Sequence, residues 1–161
     1  MISRYWSSFN GVYTRDSFTY RYTNNLLEGY TMYEWDATSN QYEAKERTAY
    51  TYNANSIIIK TYEIYLGQEG HYTTQTLTYD DRLYPYPVYV GYVVEEPYGS
   101  LFEPLPKHNL LSYNYINHYN SSENYQMNIT HTYNAANKPT KSIFVSTGGS
   151  VGTESDEFFY Q

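Results

Sequence analysis

The feature that most constrains the fold of this chain is a side-chain period of two along most of its length. Phe18, Tyr20 and Tyr22 alternate with other residues, and the run that ends at Trp35 does the same. Successive side chains of a β-strand point to opposite faces of a sheet, so this alternation predicts strands. Further strands are predicted at residues 42–52, 56–66, 72–80, 125–134, 140–147 and 154–160.

Short stretches rich in Asn and Gly separate these runs, for example Asn24-Asn25, Ser39-Asn40 and residues 67–70. Asn and Gly tolerate the positive φ angles that tight hairpins require. We therefore predict an all-β chain, an antiparallel meander of long hairpins that forms a curved sheet or a partly closed barrel. A length of 161 residues fits one domain, so we predict a single domain over residues 1–161.

Residues 81–111 interrupt the alternation and carry all but one of the six prolines. Proline removes a backbone donor, which argues against a central strand. We predict an irregular insertion here, with a short helical turn near residues 108–115. Long ordered loops are often functional, which makes this insertion the first place to look for a binding site.

A short motif recurs across the chain. Thr51-Tyr52-Asn53-Ala54 is followed by Lys60, and Thr132-Tyr133-Asn134-Ala135 is followed by Lys141 at the same spacing from the tyrosine. "LTYDDR", residues 77–82, is a partial third copy with Asp80 in place of Asn. Asn and Asp side chains bond the backbone at the start of turns. Each copy is therefore predicted to be one hairpin corner, with a structural role and no chemical one.

Composition excludes several classes of function. A net charge of −7, with only ten Lys and Arg, gives no cationic cluster for nucleic acid. Without cysteine there is neither a disulfide framework nor a thiolate metal site. Strands that alternate through Glu43, Lys45 and Arg47 would leave charges in lipid, so a membrane-spanning chain is not expected. Residues 1–11 lack the apolar stretch of a signal peptide.

The candidate binding site is a group of tyrosines within the proline-rich insertion, with one tryptophan on a nearby strand. Tyrosine is the commonest residue, at 24 copies. Rigid aromatic rings with polar tips suit sugars and peptide partners. The alternative is that these rings fill the open mouth of a curved sheet. The candidate residues are Tyr84, Tyr86, Tyr89, Tyr92, Tyr98 and Trp35.

Catalytic and metal sites are not expected. The doublets Asp80-Asp81 and Glu95-Glu96 cannot face one another across a cleft, because neighbours on an extended chain point opposite ways. Ser150 has the letters of a nucleophile elbow but lies in a glycine turn between strands. No histidine stands at metal-ligand spacing, so we interpret all four as isolated, and no cofactor is predicted. The histidines are His71, His108, His118 and His131.

The segment "YTYNANSIIIK" resembles the tyrosine-aspartate (YD) repeat of Rhs-type shell proteins, in which strand, turn and strand recur along a long sheet. Tyr50, Tyr52 and Asn53 match that pattern, whereas Ser56 and Ile57 stand where the repeat usually has Gly-Arg.

The second half of the chain also resembles a family of exported proteins from Gram-negative gut anaerobes, described only as a domain of unknown function with a porin-like fold. "LTYDDRLYPY", the segment after it and "ITHTYNAANKPTK" carry this resemblance. It implies a protein of the periplasm or cell surface. Family members usually begin with a lipoprotein-type leader, which residues 1–11 do not show. No activity follows from the resemblance.

Two functions are consistent with these observations. The first is a non-catalytic binding or structural module of the bacterial cell envelope that contacts glycan or protein through the tyrosine-rich insertion. The second is a carrier of a lipid or other apolar small molecule in the concavity of the sheet. No arrangement of residues in the sequence indicates an enzyme. The carrier would use Ile57, Ile59, Met127, Ile129 and Phe144.

Overall fold

The computed structural model describes residues 2–9, 12–24, 26–83, 108–148 and 152–159. Within these residues, ten strands follow one another in chain order, each paired antiparallel with the next, and form one open sheet. The predicted all-β antiparallel meander is confirmed. The strands are β1 (Ile2–Phe9), β2 (Val12–Thr23), β3 (Leu26–Asp36), β4 (Gln41–Tyr52), β5 (Ser56–Tyr65), β6 (Gln68–Leu83), β7 (His108–Asn117), β8 (Tyr125–Tyr133), β9 (Pro139–Thr147) and β10 (Gly152–Glu157).

Two sequence predictions about this order need correction. The helical turn predicted near residues 108–115 is wrong, because His108–Asn117 is strand β7 and pairs with β6 and β8. Strand β1 was not predicted, because "ISRYWSSF" mixes apolar and polar residues on both of its alternating faces. The predicted insertion, residues 81–111, also overlaps strands at both ends, because β6 extends to Leu83 and β7 begins at His108.

The core lies on one face of the sheet, which we call face A. Directly paired residues of antiparallel strands share a face. Tyr50 is paired with Ile59 in this way, and Leu27 packs beside them as the third buried member of the cluster. Several half-buried rings and aliphatic side chains surround these three, namely Tyr20, Tyr30, Tyr52, Ile57 and Leu77.

The opposite face, face B, is richer in hydroxyl and charged groups. Lys60 pairs with Thr74, and Thr78 pairs with Ser56 on one side and Ser112 on the other. The Thr78 and Ser112 hydroxyls lie 2.5 Å apart. Hydroxyl pairs of this kind satisfy polar groups across strands without a second layer of structure.

Register shifts in the described sheet fall beside tyrosines. They occur at Tyr22, Tyr33, Tyr62, Tyr79 and Tyr133, three of them directly after a threonine. A bulge bends the strand and re-aims the side chains that follow it. The tyrosines of this chain therefore mark the points at which the sheet changes register, in addition to supplying its core.

The two full copies of the motif are hairpin corners, as predicted, but the corners differ. In the first copy the Asn53 N–H donates to the Ser56 carbonyl at 2.9 Å, which closes a two-residue loop. In the second copy the Asn134 N–H donates to the Lys138 carbonyl at 2.9 Å, which closes a three-residue loop. That loop contains Asn137 with φ 58°. Asparagine tolerates this left-handed conformation better than most residues.

The partial third copy is not a hairpin corner, which corrects the prediction for "LTYDDR". Strand β6 continues through Asp80 to Leu83. Tyr79 pairs with Leu110, and the next pair along the two strands is Leu83 with His108. Strand β6 therefore bulges between Tyr79 and Leu83. Asp80 lies in this bulge and accepts hydrogen bonds from β7 and β8 instead of starting a turn.

Candidate functional site

The five tyrosines of the predicted binding site, Tyr84, Tyr86, Tyr89, Tyr92 and Tyr98, lie outside the described residues.

The sixth candidate, Trp35, is half-buried on β3 and meets the Tyr42 ring edge to face, with ring centroids 5.1 Å apart. The pair lies on face B, on the side of the sheet opposite the core cluster.

The strand positions that flank the undescribed segment lie side by side. Leu83 ends β6, His108 begins β7, and the two are cross-strand partners. The His108 ring Nδ1 lies 3.2 Å from the Arg82 carbonyl oxygen and donates to it, because a carbonyl only accepts. The two described residues on either side of residues 84–107 are therefore adjacent in the sheet.

A polar network, which we call the Asp80 network, holds the strands at this point. It consists of Asp80, Arg82, Asn109 and Tyr133. The Asp80 Oδ1 accepts the backbone N–H groups of Arg82 and Asn109, each at 3.0 Å. Its Oδ2 accepts the Asn109 side-chain amide at 3.0 Å and the Tyr133 hydroxyl. One carboxylate thus joins β6, β7 and β8.

Burial and hydrogen bonding have opposite effects on the pKa of Asp80. Burial acts to raise its pKa, but the hydrogen bonds from Tyr133, Asn109 and the Arg82 backbone outweigh it and hold the pKa below the ordinary value. Burial and the neighbouring Asp80 raise the pKa of Tyr133, so this hydroxyl stays protonated and donates. The network is therefore an ionised acceptor surrounded by fixed donors.

The Asn109 and Arg82 side chains complete the packing of this network. Asn109 is 1% exposed, and its amide also donates to the Arg82 carbonyl at 3.3 Å. The Arg82 guanidinium lies over the Tyr133 ring, 3.8 Å from its centroid. This cation–π contact packs against the face of the ring, while the hydroxyl at its edge bonds Asp80.

Next to this network lies a shallow recess of about 350 Å³ lined by residues of β6, β7 and β8, among them Leu111, Ile129 and His131. His131 is fixed at both nitrogens. Its Nε2 donates to the Leu110 carbonyl at 2.9 Å, and its Nδ1 lies 2.7 Å from the buried Ser142 hydroxyl. This histidine serves the packing of the sheet.

A second cluster, which we call the His71 cluster, lies on face B. The Tyr62 and His71 rings stack with centroids 5.0 Å apart, and the His71 and His118 ring centroids are 4.0 Å apart. The Thr74 Oγ1 lies 3.0 Å from His71 Nε2 and 2.9 Å from His118 Nε2. The interpretation of all four histidines as isolated is therefore wrong for His71 and His118.

Arg47 extends this cluster across a further strand. Its guanidinium lies 4.1 Å from the Tyr62 ring centroid and forms a two-point ion pair with Glu69, both N–O distances being 2.6 Å. Planar fork-to-fork contacts of this kind fix orientation as well as charge. The hydrogen bond from Arg47 lowers the pKa of Glu69, which stays ionised.

Carboxylates also gather on face A, where Glu34 pairs with Glu43 and Glu46 pairs with Glu63. Burial raises the pKa of Glu46, whose Oε1 accepts the Tyr30 hydroxyl at 3.3 Å. The other three side chains are exposed. In the described part of the chain, no three His, Cys, Asp or Glu side chains are placed to hold a metal ion.

Comparisons with known proteins add little to this geometry. No protein-family model matches the chain, and no curated protein matches it. The chain is similar to the crystal structure of a protein of unknown function from Bacteroides fragilis, with 8% identity and a TM-score of 0.44, over 94% of this chain and 92% of the other. We infer neither family nor function from this likeness. The YD-repeat and porin-like resemblances remain predictions.

Among the described residues, no helix has the length and apolarity needed to cross a bilayer.

Proposed function

We propose that this protein is a non-catalytic binding or structural module of the bacterial cell envelope, which contacts glycan or protein through the tyrosines of residues 84–98. The observation that carries the proposal is the position of the Asp80 network. The network joins three strands next to Leu83 and His108, the paired residues on either side of the segment 84–107. Binding residues are commonly carried on loops that a rigid scaffold positions.

The composition of the segment supports the same proposal. Five tyrosines and four prolines lie between residues 84 and 104. Tyrosine offers a large contact area at a low cost in conformational entropy, and its hydroxyl adds a hydrogen bond. Proline fixes one backbone angle and lowers the cost of ordering a loop on binding. We propose a glycan as the first ligand to test, because stacking on aromatic rings requires no charge.

The test is a screen of the purified chain on an array of bacterial polysaccharides, followed by calorimetric titration of each positive. Tyr86→Ala with Tyr92→Ala should weaken binding at least about tenfold, which corresponds to roughly 1.4 kcal/mol. The matched control is Tyr22→Ala with Tyr65→Ala, two exposed tyrosines on β2 and β5. Equal affinity of both double variants would remove the segment as the binding surface.

The localisation proposed with this function is the periplasm or the cell surface. Fractionation of cells that express the full gene tests it. Recovery of the protein in the cytosol alone would contradict an envelope role, whatever the array result.

The carrier of a lipid or other apolar molecule is the second proposal, because its five predicted residues share face A. Ile57 connects through Leu77 and Tyr113 to Met127 by direct cross-strand pairs, and Ile129 pairs with Phe144. Tyrosines interrupt this apolar row, which favours the binding module. Native mass spectrometry of freshly purified protein should show a bound lipid if the carrier proposal is correct, and the bare chain mass if it is not.

A further inference from the structure

We propose that Lys60, His71 and His118, which lie beside Thr74 on face B, form a binding site for a small oxyanion, that is, a phosphate, sulfate or carboxylate group. Lys60 on β5 is the direct cross-strand partner of Thr74 on β6. The Thr74 Oγ1 lies within 3.0 Å of Nε2 of both imidazoles. None of these residues belongs to the segment 84–107, and the proposal does not depend on the function proposed for that segment.

The charge balance of the region is the main argument. The protein carries a net charge of −7, yet Lys60 has no carboxylate within 4.0 Å among the described residues. Lys45 and Lys141, by contrast, pair with Glu43 and Glu157. A cation without a counterion, beside two groups that become cationic on protonation, attracts an anion.

Among the described residues, the charged groups around the site do not neutralise it. Arg47 on β4 and Glu69 on β6 pair with each other. Glu123 is tied to the amides of Asn117 and Asn120. Glu63 lies on face A, since it follows Tyr62 directly on β5. The positive charge of Lys60 is therefore left without a facing carboxylate in the part of the chain that the structure describes.

The geometry of the two imidazoles fits an anion better than a metal ion. The His71 Nε2 lies 3.1 Å from the Thr73 carbonyl oxygen, so this nitrogen carries a proton and lacks a lone pair for a metal. Burial, followed by the charges of His118 and Lys60, lowers the pKa of His71. A bound anion would relieve that repulsion, and a bound cation would increase it.

The experiment follows the Hε1 resonances of the histidines by NMR while sodium sulfate or inorganic phosphate is added, at pH 5.5 and at pH 8.0. At pH 5.5 we expect saturable shifts of the His71 and His118 resonances, with affinity at least about tenfold weaker at pH 8.0, where the His71 ring, whose pKa is lowered, is neutral. His131, held by Ser142 and Leu110, is the internal control and should not shift. Sodium chloride at matched ionic strength controls for screening.

The variant test compares Lys60→Met with Lys45→Met, both on exposed faces of neighbouring strands. We expect Lys60→Met to weaken sulfate binding about tenfold and Lys45→Met to leave it unchanged. Saturable binding of acetate or a uronic acid, but not sulfate, would still support an oxyanion site and assign it to carboxylates. Shifts equal to those in chloride, or unchanged binding by Lys60→Met, would overturn the proposal. So would binding of Zn²⁺ at pH 8.0 without any binding of sulfate at pH 5.5.

Discussion

The hydroxyl of Tyr133 donates a hydrogen bond to Oδ2 of Asp80, and this contact joins the second copy of the tyrosine motif to the partial third copy. The two residues are 53 positions apart in the chain, on β8 and β6. Strand β7 lies between them and contributes Asn109 to the same carboxylate. The repeat therefore supplies both hairpin corners and a three-strand contact at the base of residues 84–107.

The two hairpin corners should respond differently to loss of their asparagine. The Asn134 Oδ1 accepts the N–H groups of Ala136 and Lys138, at 2.9 and 3.0 Å. The Asn53 amide instead donates to the Ser56 hydroxyl at 3.1 Å, an exposed bond between two side chains. We expect Asn134→Ala to cost about 1 kcal/mol and Asn53→Ala less than about 0.5 kcal/mol, measured by urea unfolding. Equal losses would contradict the distinction between the corners.

A single substitution in the hairpin between β5 and β6 should stabilise the protein. Leu66 and Gly67 form its two-residue loop, with φ of 50° and 76°. Asparagine suits the first of these positions far better than leucine, and Leu66 is 87% exposed. Leu66→Asn should raise the unfolding free energy by roughly 0.5–1 kcal/mol. Leu26→Asn, an exposed strand position used as the control, should give no gain.

The depressed pKa of Asp80 predicts a specific acid dependence of stability. A carboxyl group with a lowered pKa in the folded state stabilises the fold above its ordinary value, 3.8 here, and loses that contribution as the pH falls through the folded value. Asp80→Asn should therefore be less stable than wild type at pH 7, with the difference shrinking below pH 4. Urea midpoints at pH 7, 4 and 2.5 measure this.

Asp81→Asn is the matched control, because Asp81 is the exposed neighbour on the same strand. Its stability difference from wild type should be small at all three pH values. A difference for Asp80→Asn that persists unchanged at pH 2.5 would show that the effect is steric and not due to the charge.

Local features of this fold could be predicted from the sequence, and contacts between distant residues could not. Alternation located most of the strands, though not β1 and β7, and Asn53 and Asn134 located two corners, because both signals act over a few neighbouring residues. The pairing of His71 with His118 depends on where β6 and β7 meet, which no spacing in the sequence reveals. Asp80 was misassigned to a turn because its short-range context, Thr-Tyr-Asp, matches the true corners.

The register of the strands could not be predicted from the sequence either. Lys60 and Lys141 stand at the same distance from their tyrosines, yet Lys60 pairs with Ala49 and Lys141 pairs with Thr132. The two-residue and three-residue loops, together with the bulge beside Tyr133, produce this difference. Equal spacing in a repeat therefore does not imply equal position in the sheet.

A double-mutant cycle between Asp80 and Tyr133 tests the central claim most directly, namely that one charged hydrogen bond fixes the strands at the base of residues 84–107. Stability of Asp80→Ala, Tyr133→Phe and the double variant is measured by urea unfolding at pH 7. Tyr113→Phe, whose hydroxyl donates to Gln75, replaces Tyr133→Phe in a control cycle. The account predicts a coupling of at least about 1 kcal/mol for Asp80 with Tyr133 and additive effects for Asp80 with Tyr113. Additivity within about 0.3 kcal/mol in both cycles would contradict it.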